Sequence, residues 1–314
     1  MMLNIRMSLL ALLFPLLGYG QLADSLYSYQ SFHLTWENDV FTATDRYYSQ
    51  GIFLQYEHHN LNLKWLNPFF LPVPDIERTL KTGVEQRGYT PSTILSDTML
   101  KGDRPYAATI TYGARFFSRS LSRNYTLNWS IYAGFIGKPA FGEYTQKTIH
   151  KWIDSPKPHG WQYQLNTGFI LDASIGYTKL FFTRSRWIRM ELGDLVRIGT
   201  LTNEMQIHGG LKLGYIGNRR QFYLYYVPQL RIVAYDGTLQ GALFIKPSKA
   251  ALPAKSVERL VSEQQIGVYL RYKPFFASAH FHYQSRVFKN ALNHMWGGLT
   301  LGYMLWDNYK KDRK

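Results

Sequence analysis

In the segment RNYTLNWSIYAGFIG, Tyr125, Leu127, Trp129, Ile131, Ala133 and Phe135 alternate with Thr126, Asn128, Ser130, Tyr132 and Gly134. Successive side chains leave a pleated chain on opposite sides, so this period of two describes a strand with one apolar face. AATITYGARFF repeats it, with Ala108, Ile110, Tyr112, Ala114 and Phe116 opposite Thr109, Thr111, Gly113 and Arg115. Near the end, Leu299, Leu301, Tyr303 and Leu305 oppose Gly298, Thr300 and Gly302. No segment supplies the roughly 18 to 20 uninterrupted apolar residues of a membrane-spanning helix, so a membrane form of this chain crosses with strands.

The N-terminus has the features of a secretory signal. Arg6 precedes the apolar run SLLALLFPLLG, and Gly18-Tyr19-Gly20 offers a cleavage point before Gln21. The expected organisation is a signal peptide at 1–20 and one barrel domain at 21–314. Aromatic residues make up 16% of the chain, with 24 tyrosines and 8 tryptophans, which suits a sheet with one face in lipid and the other wet. The absence of cysteine excludes disulfides, thiolate metal sites and a cysteine nucleophile. A net charge of +15 calls for an acidic partner. Export sets nucleic acid aside and leaves anionic outer-membrane lipid and lipopolysaccharide phosphates.

The alternation places twelve strands near 29–39, 47–58, 79–89, 106–118, 123–137, 161–181, 187–199, 205–216, 221–235, 264–273, 276–286 and 295–305. The expected class is all-β, a transmembrane antiparallel barrel with a short helix in an external loop. Connections after the fourth, sixth, eighth and tenth strands are short, and those after the first, third, fifth and ninth are long and polar. Outer-membrane barrels have this asymmetry, with short periplasmic turns and long external loops. Residues 59–78, HNLNLKWLNPFFLPVPDIER, break it by being long on the periplasmic side. The external ends then carry 38–49, 101–107 and 138–160, which are expected to converge at one mouth facing the outer leaflet.

In 138–160 the alternation stops between Phe141 and Ile153, and Pro156 and Pro158 follow, so a helix is expected there. Glu143, Gln146 and His150 fall on one of its faces, with Ile149, Trp152 and Ile153 on another. His150 is then either a catalytic base or a solvated residue of a surface lid. Asn38 and Asp39 end the first strand and Ser49 opens the second, so their oxygens either ligate calcium or terminate a hairpin. KGDRPYA is a turn into the fourth strand, in which Asp103 and Arg104 form an ion pair or a phosphate contact. No nucleophile elbow, His-Glu-Xaa-Xaa-His or Walker loop occurs.

ENDVF, DRYYSQG, GDRPYA, GKPAFGE leading to QKTIH, GWQYQL and DGTLQG follow one another in an order that resembles the outer-membrane lipid A 3'-O-deacylases. The resemblance implies a twelve-stranded barrel and calcium-dependent removal of a 3'-linked acyloxyacyl group from lipid A. It implies active-site positions at Asn38, Asp39, Ser49, Gln146 and His150, with Asp39 and Ser49 as metal ligands. The chain departs from the family where a sugar-holding lysine-arginine pair is replaced by Leu95-Ser96, and where a glutamate is replaced by Pro156. Water activated by His150 and Ser49 activated by His150 both remain open as nucleophiles. An outer-membrane phospholipase and a non-catalytic porin-like or lipopolysaccharide-binding barrel are the rival classes.

Overall fold

A computed structural model of the chain describes residues 28–61, 63–217 and 219–306, and the expected signal segment lies outside them. Twelve antiparallel strands close on themselves. They are β1 (Tyr29–Asn38), β2 (Tyr47–His59), β3 (Ile76–Thr90), β4 (Ala107–Ser120), β5 (Tyr125–Ile136) and β6 (Gly168–Phe181), followed by β7 (Ile188–Gly199), β8 (Thr202–Ile216), β9 (Arg220–Asp236), β10 (Leu260–Tyr272), β11 (Phe275–Gln284) and β12 (His294–Trp306). Each pairs with its sequence neighbours, and β1 pairs with β12 from Tyr29–Trp306 to Asn38–Gly297. Closure satisfies backbone groups that lipid cannot hydrate.

The expected alternation holds. Ile131, Phe135, Leu301 and Tyr112 are exposed on the outer wall, whereas Asn128 and Ser130 are buried inside. The inner face carries charge in pairs, including Arg231–Glu204 at 3.3 Å and Arg87–Glu85 at 2.8 Å, around a polar cavity of about 370 Å³. The sixth strand starts later than expected, at Gly168, because Trp161–Tyr163 forms a 3-10 turn.

The long connection at 59–78 turns back onto the outer wall. Its 3-10 segment Lys64–Phe69 brings Leu61, Leu66 and Phe70 against Phe116, and Trp129 Nε1 donates to Phe69 O at 2.6 Å. Phe69 and Trp129 stack on Phe116, with ring centroids 5.6 and 4.8 Å away. The segment is long because it covers an aromatic patch of the wall rather than linking two strands by the shortest path.

Nitroxide labels at Leu127 and Ile131 are expected to be quenched by lipid-soluble oxygen, and labels at Asn128 and Ser130 to be protected from it. The reverse pattern would mean the sheet is inside out.

Candidate active site

Strand parity puts the candidate residues at the end of β1 on the outside of the wall. Phe32, Leu34, Trp36 and Asn38 alternate with the inward residues of β1, so Asn38 leaves the strand end on the lipid-facing side. The next residues, Asp39–Thr42, make a 3-10 turn capped by Asn38, whose Oδ1 accepts from Val40 N at 2.8 Å. The turn folds over β12, where Phe41 lies so near Gly297 that a Cβ there would come within 2.7 Å of it.

The expected helix forms as α1 (Gly142–Trp152). It packs on the outer face of β3 and β4 and does not cover the mouth. Gln86, on the outer face of β3, donates to Ala140 O at 3.3 Å. Gly142 rests on Ala108 and Trp161, and a Cβ there would lie 2.3 Å from Ala108 Cβ and 2.6 Å from the Trp161 ring. Glycine fits that point because a Cβ would run into the β4 wall at Ala108 and into the buried Trp161 ring. Gln146, Ile149 and His150 are buried, whereas Phe141, Tyr144, Trp152 and Ile153 are exposed, an amphipathic arrangement suited to the interface. Glu143 turns away to pair with Lys147 and takes no part in the site.

Four side chains form a chain of contacts between the hairpin and α1. Trp161, 2% exposed, donates from Nε1 to Gln146 Oε1 at 2.7 Å. Because indole only donates, the other end of the Gln146 amide is the donor, and its Nε2 reaches Asp45 Oδ1 at 3.3 Å. Asp45 Oδ2 lies 3.4 Å from His150 Nε2. His150 Nδ1 is 2.6 Å from the carbonyl oxygen of Pro156, an acceptor only, so Nδ1 carries the proton and neutral His150 has its lone pair on Nε2. The backbone at Pro156 thus orients the imidazole at the position where the resemblance expects a carboxylate.

Asp39 is 2% exposed and accepts from Arg46 N at 2.7 Å. Burial, reinforced by the negative charge of Asp45, pushes its carboxyl up to about 9. Burial raises Asp45 as well, with His150 opposing. Two carboxylates whose negative charges act on each other supply oxygen donors of the kind a hard cation takes. Ser49 occupies a bulge between Tyr48 and Gln50, and its hydroxyl is 2.6 Å from that of Thr90 rather than turned to Asp39.

The structure thus joins Gln146 and His150 through Asp45, with Asp39 held by the neighbouring Arg46 backbone N–H, Asn38 at the turn and Ser49 on Thr90. Asp45, Trp161 and the Pro156 carbonyl were not singled out from the sequence. Gln50 was also missed: it lies opposite Asn38 on the outer face, 1% exposed, and its Nε2 has no partner among the described residues. Its signal was legible, a polar residue at the end of the outward series Ile52, Leu54, Tyr56. Asp103 and Arg104 do not pair through their side chains as expected. Asp103 accepts from Ser92, and Arg104 runs inward over Tyr89 to Thr238 Oγ1 at 2.7 Å, which ties GDRPYA to DGTLQG.

A family model described as outer membrane protein LpxR matches residues 7–305. The chain belongs to the LpxR family. The solved structure of LpxR from Salmonella typhimurium is similar with a TM-score of 0.73 at 18% identity, covering 87% of this chain and 99% of that one, and shows the same fold. The β domain of the Bordetella autotransporter BrkA aligns over 88% of this chain and 98% of its own at 8% identity, with a TM-score of 0.40. No curated protein sequence matches. Membership of the LpxR family, together with the barrel, places the protein in the outer membrane.

If α1 depends on close approach at Gly142, Gly142→Val should lift it. Overpacking of this kind costs about 1–3 kcal/mol. Added protease should then cut within 138–160 about tenfold faster or more while the barrel keeps its folded gel mobility. Unchanged cleavage would show that the helix does not need the contact.

Proposed function

We propose that this protein is a lipid A deacylase that hydrolyses an ester-linked acyl chain at the 3' position of lipopolysaccharide in a calcium-dependent reaction. The observation that carries the reading is His150, held at Nδ1 by the Pro156 carbonyl with Nε2 facing Asp45, on the lipid side of the wall in a member of the LpxR family.

Nε2 takes a proton from water as its oxygen attacks the ester carbonyl carbon, and Asp45 stabilises the imidazolium that results. The same proton then passes to the departing sugar oxygen, so the products are a free fatty acid and a sugar hydroxyl. Asn38 uses Oδ1 for its cap, which leaves its Nδ2 hydrogens for the developing oxyanion, and Gln50 Nε2 is a second donor on the same face. Asp39 and Asp45 would hold calcium, with Asn38 and Ser49 as neighbouring oxygens. Calcium held there would supply the positive charge that polarises an ester carbonyl. Ser49 is bonded to Thr90, which favours water over Ser49 as nucleophile. The net charge of +15 suits a phosphorylated lipid.

A phospholipase reading has one observation in its favour: Leu95, at the position of the family's sugar-holding pair, is an exposed apolar residue. Product analysis separates the two, since lipopolysaccharide and glycerophospholipid release different acylated remnants.

Hydrolysis by the purified protein is expected to stop in a calcium chelator and return with calcium but poorly with magnesium, whose stricter octahedral shell fits such a site badly. Full activity without divalent ions would remove calcium from the mechanism. His150→Ala should still fold and bind lipopolysaccharide but lose about 10² to 10⁴ in deacylation rate. His159→Ala is the control, because His159 is exposed and pairs with Asp97 at 2.6 Å, away from His150. A wild-type rate in His150→Ala would mean that His150 is not the base and would leave α1 as a lid.

A further inference from the structure

Glu37 and Asn38 are consecutive, so one faces the lumen and the other the outer wall. Behind the catalytic corner, Glu37 meets His280 and His282, which project inward from β11. One ligand atom from each of the three lies within 4.8 Å of the others. We propose that this cluster is a binding site for a transition-metal dication of the zinc type, separate from the calcium site at Asp39.

The first argument is the donor set. Two imidazoles and one carboxylate suit zinc, whereas calcium prefers oxygen throughout. The Glu37 Oε1 to His280 Nε2 separation is 3.3 Å. That is long for a charge-assisted hydrogen bond, and it is about the donor spacing on a tetrahedral ion with bonds of about 2.0–2.1 Å.

The second argument is an unmatched atom. His282 Nδ1 is 3.1 Å from Glu263 Oε1, and Glu263 also receives Gln284 and faces Arg231. A carboxylate at Nδ1 fixes the proton there and leaves the Nε2 lone pair, which is buried with no partner among the described residues. Metal-binding histidines are oriented by this arrangement. Trp296 stacks on the His282 ring at 4.6 Å and 5°, setting its plane, and Tyr48 donates to the second oxygen of Glu37 at 2.6 Å.

The third argument is the room made for the cluster. Gly298 lies between Glu37 and His280 in the pairing register. A Cβ at Gly298 would come 2.4 Å from His280 Nε2 and 2.8 Å from Glu37 Cγ, so only glycine lets the two side chains meet across β12. The polar cavity of about 370 Å³, lined in part by Glu37 and His282, leaves space for water as a fourth ligand. An ion there would tie β11 to the end of β1, directly behind Asn38.

The test is the metal content of the folded, detergent-purified protein after equilibration with zinc and removal of free ion, with calcium in excess throughout. Wild type and His150→Ala should each retain one more equivalent of zinc than the His280→Ala/His282→Ala double variant. Cobalt added to the wild type should give the visible bands of a tetrahedral centre with nitrogen and oxygen ligands, which keeps the test open if the double variant does not fold. Equal zinc in wild type and double variant, loss of that equivalent in His150→Ala, or an octahedral cobalt spectrum would overturn the proposal. Because the readout is metal content and not hydrolysis, it is independent of the deacylase reading.

Discussion

The pairing of β1 with β12 is the constraint on which the molecule depends. A sheet in lipid has no water for its edges, and an open edge would leave a row of polar backbone groups without partners. Closure also fixes parity. Once Trp36 faces lipid, Glu37 must face the lumen and Asn38 must face out, and a shift of one residue would exchange them. Because the same strand ends serve both faces, the wall separates two kinds of chemistry within one pair of neighbouring residues.

That separation explains why α1 lies where it does. The inner face is filled with ion pairs such as Arg231–Glu204 and Arg87–Glu85, and a catalytic helix over the mouth would look down on charge rather than on acyl chains. On the outer wall, Ala108 and Gly142 allow close approach, and Trp161 passes its single donor to Gln146 and thence to Asp45. The contacts form a linear series in which the indole can only donate, so it fixes the Gln146 amide and turns the amide's own donor to Asp45.

Strand number, parity and the α1 helix were legible because each rests on a local period that the residues themselves display. The start of β6 was not, since Trp161 and Tyr163 satisfy a strand pattern while tertiary contact with Gln146 bends them into a turn. The long 59–78 segment had no period to read, because its order comes from Phe116 and Trp129 on other strands. At the site, His150 and Gln146 were marked by helical spacing. Asp45 was hidden by its place in a hairpin loop, where an aspartate ordinarily makes a turn. Its partners on α1 are about a hundred residues away, and no local pattern carries that information.

A site on the outer wall also decides how substrate arrives. Phe141, Tyr144, Trp152 and Ile153 are exposed on the same structure that buries His150, so the helix meets the interface with one side and the contacts to Asp45 and Trp161 with the other. A lipid already in the leaflet can move laterally to such a cleft without crossing the lumen or leaving the membrane. A soluble ester would have to approach through the headgroups, against the same apolar surface. The position of the wall between His150 and the polar cavity thus favours membrane lipid over diffusible molecules, and it does so through strand parity before any residue touches the substrate.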